Sequence, residues 1–148
     1  MVHIPADVLV RFLSNAMLLR LALPKTYGLN ATQFMALLLV GETAVGLTIK
    51  DLRERLAVPG SSLTFTLDSL ETKRLIRRQR SRVDRRQWNL VLTDKGRQLY
   101  ADMLVKESQA MEPSLANFTD EEREAFLKIS EEITRASGGS AGLSSGMP

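Results

Sequence analysis

KRLIRRQRSRVDRRQWNLVLT, residues 73–93, holds Lys73, Arg74, Arg77, Arg78, Arg80, Arg82, Arg85 and Arg86 against the single carboxylate of Asp84. Its local charge is +7 in a chain whose formal net charge is +3, so the remaining residues together carry −4. Positive charge gathered into one place is what a surface facing a polyanion needs. The stretch also has internal order. Leu75 and Ile76 open an apolar segment, Ser81 to Arg85 read as a polar turn, and Trp88, Leu90 and Leu92 alternate with Gln87, Asn89 and Val91. Two short strands on either side of a polar turn predict a hairpin with a basic tip over residues 75–92. The plainer alternative is a solvated charged loop.

Upstream of the hairpin, Thr48 with Asp51 signals a helix start, and residues 49–57 place Ile49, Leu52 and Leu56 on one side of a short helix. Val58-Pro59-Gly60 is a turn, and Ser61 is expected to cap the next helix, which runs to about Lys73. Two short helices joined by a tight turn containing Gly are the ingredients of a helix-turn-helix, and a basic hairpin after them makes a winged version. At about 100° per residue, Leu63, Leu67 and Leu70 fall together and face the core. Ser61, Phe65, Asp68 and Thr72 lie opposite, with Ser62 and Ser69 at the margin.

That outward face is short and polar apart from Phe65, and it suits a major groove about 12 Å wide. Serine and threonine hydroxyls there can meet phosphates or base edges, or simply cap and solvate the helix. Phe65 can lie against a thymine methyl, or pack under a neighbouring element. The wing arginines suit a narrow minor groove. Asp84 reads as a strut holding Arg86 or Arg82 in one pose, or as a turn residue; both roles are compatible.

The flanking sequence is helical. Residues 4–23 are apolar on most sides, so they need cover on most sides, from a second subunit or from their own domain. Asn30 with Gln33 predicts a capped helix over about 31–42; Thr93 starts one over about 94–112, with Leu99, Met103 and Val105 inward and Pro113 ending or bending it. Thr119 with Glu122 starts a last helix, 120–136, with Phe126, Ile129 and Ile133 on one stripe. Residues 137–148, SGGSAGLSSGMP, are too poor in apolar side chains to fold and are expected to be a disordered tail.

Composition narrows the function. At 148 residues, 44 % apolar and 25 % charged, this is one ordinary globular domain. With no cysteine, disulfides, thiol switches and thiolate metal sites are excluded, and His3 has no partner at metal-ligand spacing. No metal or cofactor is expected. The longest apolar run, residues 34–40, is seven residues, against about 20 for a membrane span, and no signal peptide is visible, so a cytoplasmic location is expected. There is no glycine-rich phosphate loop, no nucleophile–histidine pair away from the termini and no carboxylate pair in a motif, so the chain is not expected to be an enzyme. Phe12, Met17, Phe34, Leu38 and Met103 either line a ligand cavity between the first, second and fifth helices or are simply core.

GLNATQF, IKDLRERLAV, SSLTFTLDSLETKRLI and above all VDRRQWNLVLTDKG, spanning Gly28 to Gly96, resemble the MarR family of winged-helix regulators. The last segment resembles its wing signature, D-x-R followed by alternating apolar residues and LT-x-x-G. The resemblance implies a mainly α fold with a small β wing. Residues 30–93 would form the DNA-binding lobe, and helices from 1–24 and 94–136 would form a dimerisation region. It implies a homodimeric, sequence-specific DNA-binding transcription regulator, a repressor, on a near-palindromic double-stranded operator, with a small aromatic or phenolic effector. The implied DNA-binding residues are Ser61, Ser62, Thr64, Phe65 and Ser69 on the helix and Arg77, Arg80, Arg82, Asp84, Arg85 and Arg86 on the wing. Arg86 would be the minor-groove arginine and Asp84 its support. Arg74 stands where the family usually has Gly, Pro59-Gly60 replaces the commoner Ser cap region, and Phe65 replaces a polar or basic residue. Absence of cysteine excludes the family's peroxide-sensing branch, and a single histidine argues against its metal-sensing branch. The alternative is a winged-helix interaction module gripping an acidic protein partner with the basic hairpin.

Overall fold

The computed structural model describes residues 5–8, 10, 11, 14, 23–81 and 85–136. Residues 6–8, 10, 11 and 14 are helical, within the predicted 4–23 helix. Phe12, Met17, Arg82, Asp84, His3 and the tail 137–148 lie outside the described residues.

A single 3-10 turn, Pro24–Tyr27, ends on left-handed Gly28 and leads to α1 (Ala31–Gly41). The α1 start is the reciprocal box that its sequence predicts: Gln33 N–H donates to the Asn30 side chain at 2.8 Å, and Asn30 N–H donates to the Gln33 side chain at 3.1 Å. Helix α2 (Ile49–Leu56) is capped by Thr48, which accepts from Asp51 N–H at 3.1 Å. Helix α3 (Gly60–Thr72) starts differently from expectation. Pro59 occupies the cap position without a side-chain cap, and its carbonyl accepts from Leu63 N–H at 3.1 Å. Ser61 is therefore inside the first turn and is not the cap. Proline's restricted φ, here −58°, sets the chain up for the helix that follows.

Thr93 caps α4 (Asp94–Leu115) and Thr119 with Glu122 caps α5 (Asp120–Ala136), as expected. Helix α4 runs through Pro113 to Leu115 instead of stopping at about 112. Proline there has no N–H for the carbonyl four residues back, so the last turn forgoes one backbone hydrogen bond. Val105 is exposed and not inward; Leu99 and Met103 pack on the core as expected.

Three antiparallel strands, β1 (Leu47–Thr48), β2 (Ile76–Arg80) and β3 (Trp88–Leu92), stand in the order β1-β3-β2. The hairpin register runs from Ile76↔Leu92 to Arg80↔Trp88. β1 has no signal in the sequence: alternation cannot be read over two residues, and only its pairing with β3, Leu47↔Leu90, makes it a strand. β2 is an edge strand whose exposed arginines discourage pairing with another chain.

One core joins these elements. Leu37, Leu52, Leu63, Leu67, Leu70, Ile76, Leu90 and Met103 are fully buried. Phe34, Leu38 and Met103 are buried within this packed cluster.

Helix α3 closes with a left-handed C-terminal motif. Arg74 has φ +58°, its N–H donates to Glu71 O at 2.8 Å, and Leu75 N–H donates to Leu70 O at 2.9 Å. Leu70 and Leu75, both buried, pack beneath it. Glycine is the usual residue in such a position, and a side chain with a Cβ costs about 1 kcal/mol there. Arg74→Gly is accordingly expected to raise stability by somewhat less than about 1 kcal/mol, since glycine also loosens the unfolded chain, and to raise Tm by about 2 °C. A thermal melt checks this; an unchanged or lowered Tm would mean that the Arg74 side chain supplies a compensating contact.

Candidate nucleic-acid interface

Helices α2 and α3 meet through the turn 57–59, where Ala57 takes a left-handed conformation with φ +51°. The inner face of α3 is the predicted leucine face, Leu63, Leu67 and Leu70, and buried Thr66 joins it. Ser61, Ser62, Thr64, Phe65 and Asp68 are exposed on the other side. The burial of the leucines thus decides what α3 shows to solvent.

Ser69 of this helix is engaged within the fold. It is partly buried, and its Oγ accepts from Gln33 Nε2 at 2.9 Å, so it ties α3 to α1. Gln33 caps its own helix with Oε1 and holds α3 with Nε2, a double use that a local capping signal does not reveal.

The wing is β2 and β3 with the residues between them. Its cations are not equivalent. Lys73 Nζ turns back to Gly28 O at 3.0 Å. Arg78 reaches to α3, with Asp68 at 3.1 Å and Glu71 at 3.4 Å, and braces wing against helix. These groups are partly exposed, so water screens the attraction and the bridge acts more to orient than to stabilise. Arg80 lies over the Trp88 ring, 4.3 Å from its centroid, and donates to Arg85 O at 2.8 Å. It is therefore held within the wing on an aromatic platform. Arg77, Arg85 and Arg86 are exposed on the hairpin.

Sequence reasoning does not assign Arg78 its brace or Trp88 its platform. Asp68 and Glu71 stand one turn apart on α3, and that spacing is the available signal for the brace. The platform is signalled only by hairpin register, which pairs Arg80 with Trp88 across the strands.

Where the 3-10 turn, α1 and α4 meet, Tyr27 stacks on Phe34 with ring centroids 6.0 Å apart, and Lys106 Nζ lies 5.1 Å from the Tyr27 centroid. The Tyr27 hydroxyl oxygen is buried and has no hydrogen-bond partner among the described residues. Burial pushes its pKa up, against the opposing pull of the Lys106 charge. Lys106 is itself pushed up by its hydrogen bond to Asp102, 3.1 Å away.

Among the described residues no cluster of His, Cys, Asp or Glu is arranged to hold a metal ion, and no helix is long and apolar enough to cross a membrane. A helix-turn-helix braced to a basic antiparallel hairpin and followed by two long helices defines a winged helix-turn-helix protein. Residues 27–87 match the model of the MarR family. The chain is 40 % identical over 75 residues to the HTH-type transcriptional regulator TtmR of Methylorubrum extorquens, covering 51 % of this chain and 38 % of that protein. It is 32 % identical over 90 residues to the HTH-type transcriptional repressor MdtR of Bacillus subtilis, covering 61 % of this chain and 58 % of that one. It thus spans about two-fifths to three-fifths of the length of these curated relatives. A solved MarR protein from Peptoclostridium difficile matches with a TM-score of 0.65 at 25 % identity, over 93 % of this chain and 92 % of that one. Over its winged helix-turn-helix the chain is thus similar to the MarR family.

Proposed function

We propose that the protein is a homodimeric, sequence-specific DNA-binding transcription regulator, acting as a cytoplasmic repressor released by a small aromatic or phenolic ligand. The observation that carries this reading is the brace of Arg78 onto Asp68 and Glu71. It holds an exposed helix face and a cationic hairpin as one unit, suited to a major groove and the minor groove beside it. In this reading Ser61, Ser62 and Thr64 meet phosphates and base edges, and Arg77, Arg85 and Arg86 supply charge to the backbone. Arg82 and Asp84 complete the wing tip, with Asp84 supporting Arg86. Residues 30–93 form the DNA-binding lobe, and 1–24 with 94–136 form the dimer region.

Support for pairing comes from apolar side chains facing solvent on the last two helices and the turn between them, including Leu104, Val105, Phe118, Leu127 and Ile129. A patch of this kind marks an interaction surface. Leu127→Glu combined with Ile129→Glu, at positions 61 % and 55 % exposed, is expected to give a monomer by analytical ultracentrifugation. DNA affinity should fall in parallel, because one lobe then binds without its twin. A double variant that stays dimeric removes α5 from the interface. Repression is the role that the Bacillus subtilis relative MdtR is named for. For an effector, the supporting feature is the buried Tyr27 hydroxyl beside Lys106, a polar group that a ligand could satisfy.

The experiment that tests the reading is selection of bound duplexes from a random pool. An inverted repeat with half-sites one helical turn apart, about 34 Å, is expected. An unenriched pool, or binding insensitive to salt, sinks it.

A further inference from the structure

Helix α3 reads GSSLTFTLDSLET. It contains no Arg, Lys, Asn or Gln, the side chains that make the common bidentate contacts to guanine and adenine. Three of its six hydroxyls donate their protons within the helix. Thr64 donates to Gly60 O at 3.1 Å, Thr66 to Ser62 O at 2.9 Å and Thr72 to Asp68 O at 2.8 Å. The Asp68 carboxylate is held by Arg78, and Ser69 by Gln33. In the middle of this face stands Phe65, 71 % exposed.

A bare phenyl ring is unfavourable in water, and here it belongs to a helix tied to the most cationic part of the chain. Its occupant must therefore offer an apolar group within a polyanion. The major groove of DNA presents one such group, the pyrimidine C5-methyl. Resting on the DNA-binding reading above, we propose that Phe65 is the principal base-reading residue. The group it reads is the C5-methyl of a thymine at one position in each half-site, and 5-methylcytosine can take its place. Operator choice then depends on a methyl group more than on hydrogen-bond donors, and cytosine methylation can create or strengthen sites.

The test uses the full chain and the duplex recovered by selection. Each thymine is replaced in turn, symmetrically in both half-sites, by deoxyuridine, which removes only the methyl. At one symmetric pair, affinity is expected to fall by about fourfold per half-site, the effect of one buried methyl-sized group. Placing cytosine at that pair should weaken binding, and 5-methylcytosine should recover part of the loss. Phe65→Ala should bind more weakly and respond equally to thymine and uracil, whereas Phe65→Leu should keep part of the preference. The proposal is overturned if deoxyuridine at every thymine leaves the wild-type affinity unchanged, or if Phe65→Ala still discriminates thymine from uracil. In both cases the selected duplex still binds, so the DNA-binding reading survives. A pool with no selected duplex overturns that reading and this inference with it.

Discussion

Gly96→Ala is expected to destabilise the protein by about 3 kcal/mol. A Cβ at Gly96 would lie 1.9 Å from the Leu75 carbonyl oxygen, and that oxygen is backbone, with no flexible side chain to swing aside. The carbonyl is also in use, since it accepts from Thr93 N–H at 3.1 Å, while Thr93 Oγ1 donates to Arg74 O at 2.6 Å. Lys95 Nζ reaches Lys73 O at 3.0 Å. The first turn of α4 is thus docked onto the carbonyls that end α3, and alanine would prise this junction apart. Urea denaturation should show the midpoint lowered by about 1 M or more, for a slope of about 2 kcal/mol per M. Gly60→Ala is the control. No atom lies within 4 Å of a Cβ there, so the midpoint should hold or rise slightly. Equal midpoints for Gly96→Ala and the parent would mean that the α3–α4 junction is not close-packed in solution. The same close approach explains the glycine in the LT-x-x-G signature, which is a packing requirement between two helix ends.

Replacing Arg77, Arg85 and Arg86 together by alanine is expected to lower affinity for the selected duplex by about 1 kcal/mol or more for each, on the order of a hundredfold in all. The signature is the salt dependence. The slope of log K against log salt should flatten by about 0.9 for each phosphate that is no longer neutralised. Stability should change little, because the three side chains are exposed. Fluorescence anisotropy over a salt series reads both affinity and slope. A triple variant with the parental slope would remove the hairpin from the DNA interface. Arg78→Ala separates charge from positioning, since Arg78 also orients the wing through Asp68 and Glu71. Its affinity should fall even where its own slope change is small.

Most of the fold is legible in the sequence because its signals are local. Asn30 with Gln33, Thr48 with Asp51, and Thr119 with Glu122 each cap a helix with groups three residues apart, and the structure makes those bonds. The leucine periodicity of α3 chooses its buried face, and alternation in residues 88–92 chooses a strand. β1 escapes because two residues have no period. Ser61 has the chemistry of a cap but not the position, because Pro59-Gly60 starts the helix earlier without a side-chain bond.

Residue chemistry along the chain was enough to determine a winged helix-turn-helix with a cationic hairpin, because capping, periodicity and charge clustering act between neighbours in sequence. Which polar groups are already engaged was decided only by the tertiary structure. Ser69 is held by Gln33, Arg80 by Trp88 and Arg78 by Asp68, across separations that no local pattern encodes. The physical reason is that a side chain's partners depend on which elements pack together. The chain must fold before Phe65 is left bare on the outer face of α3.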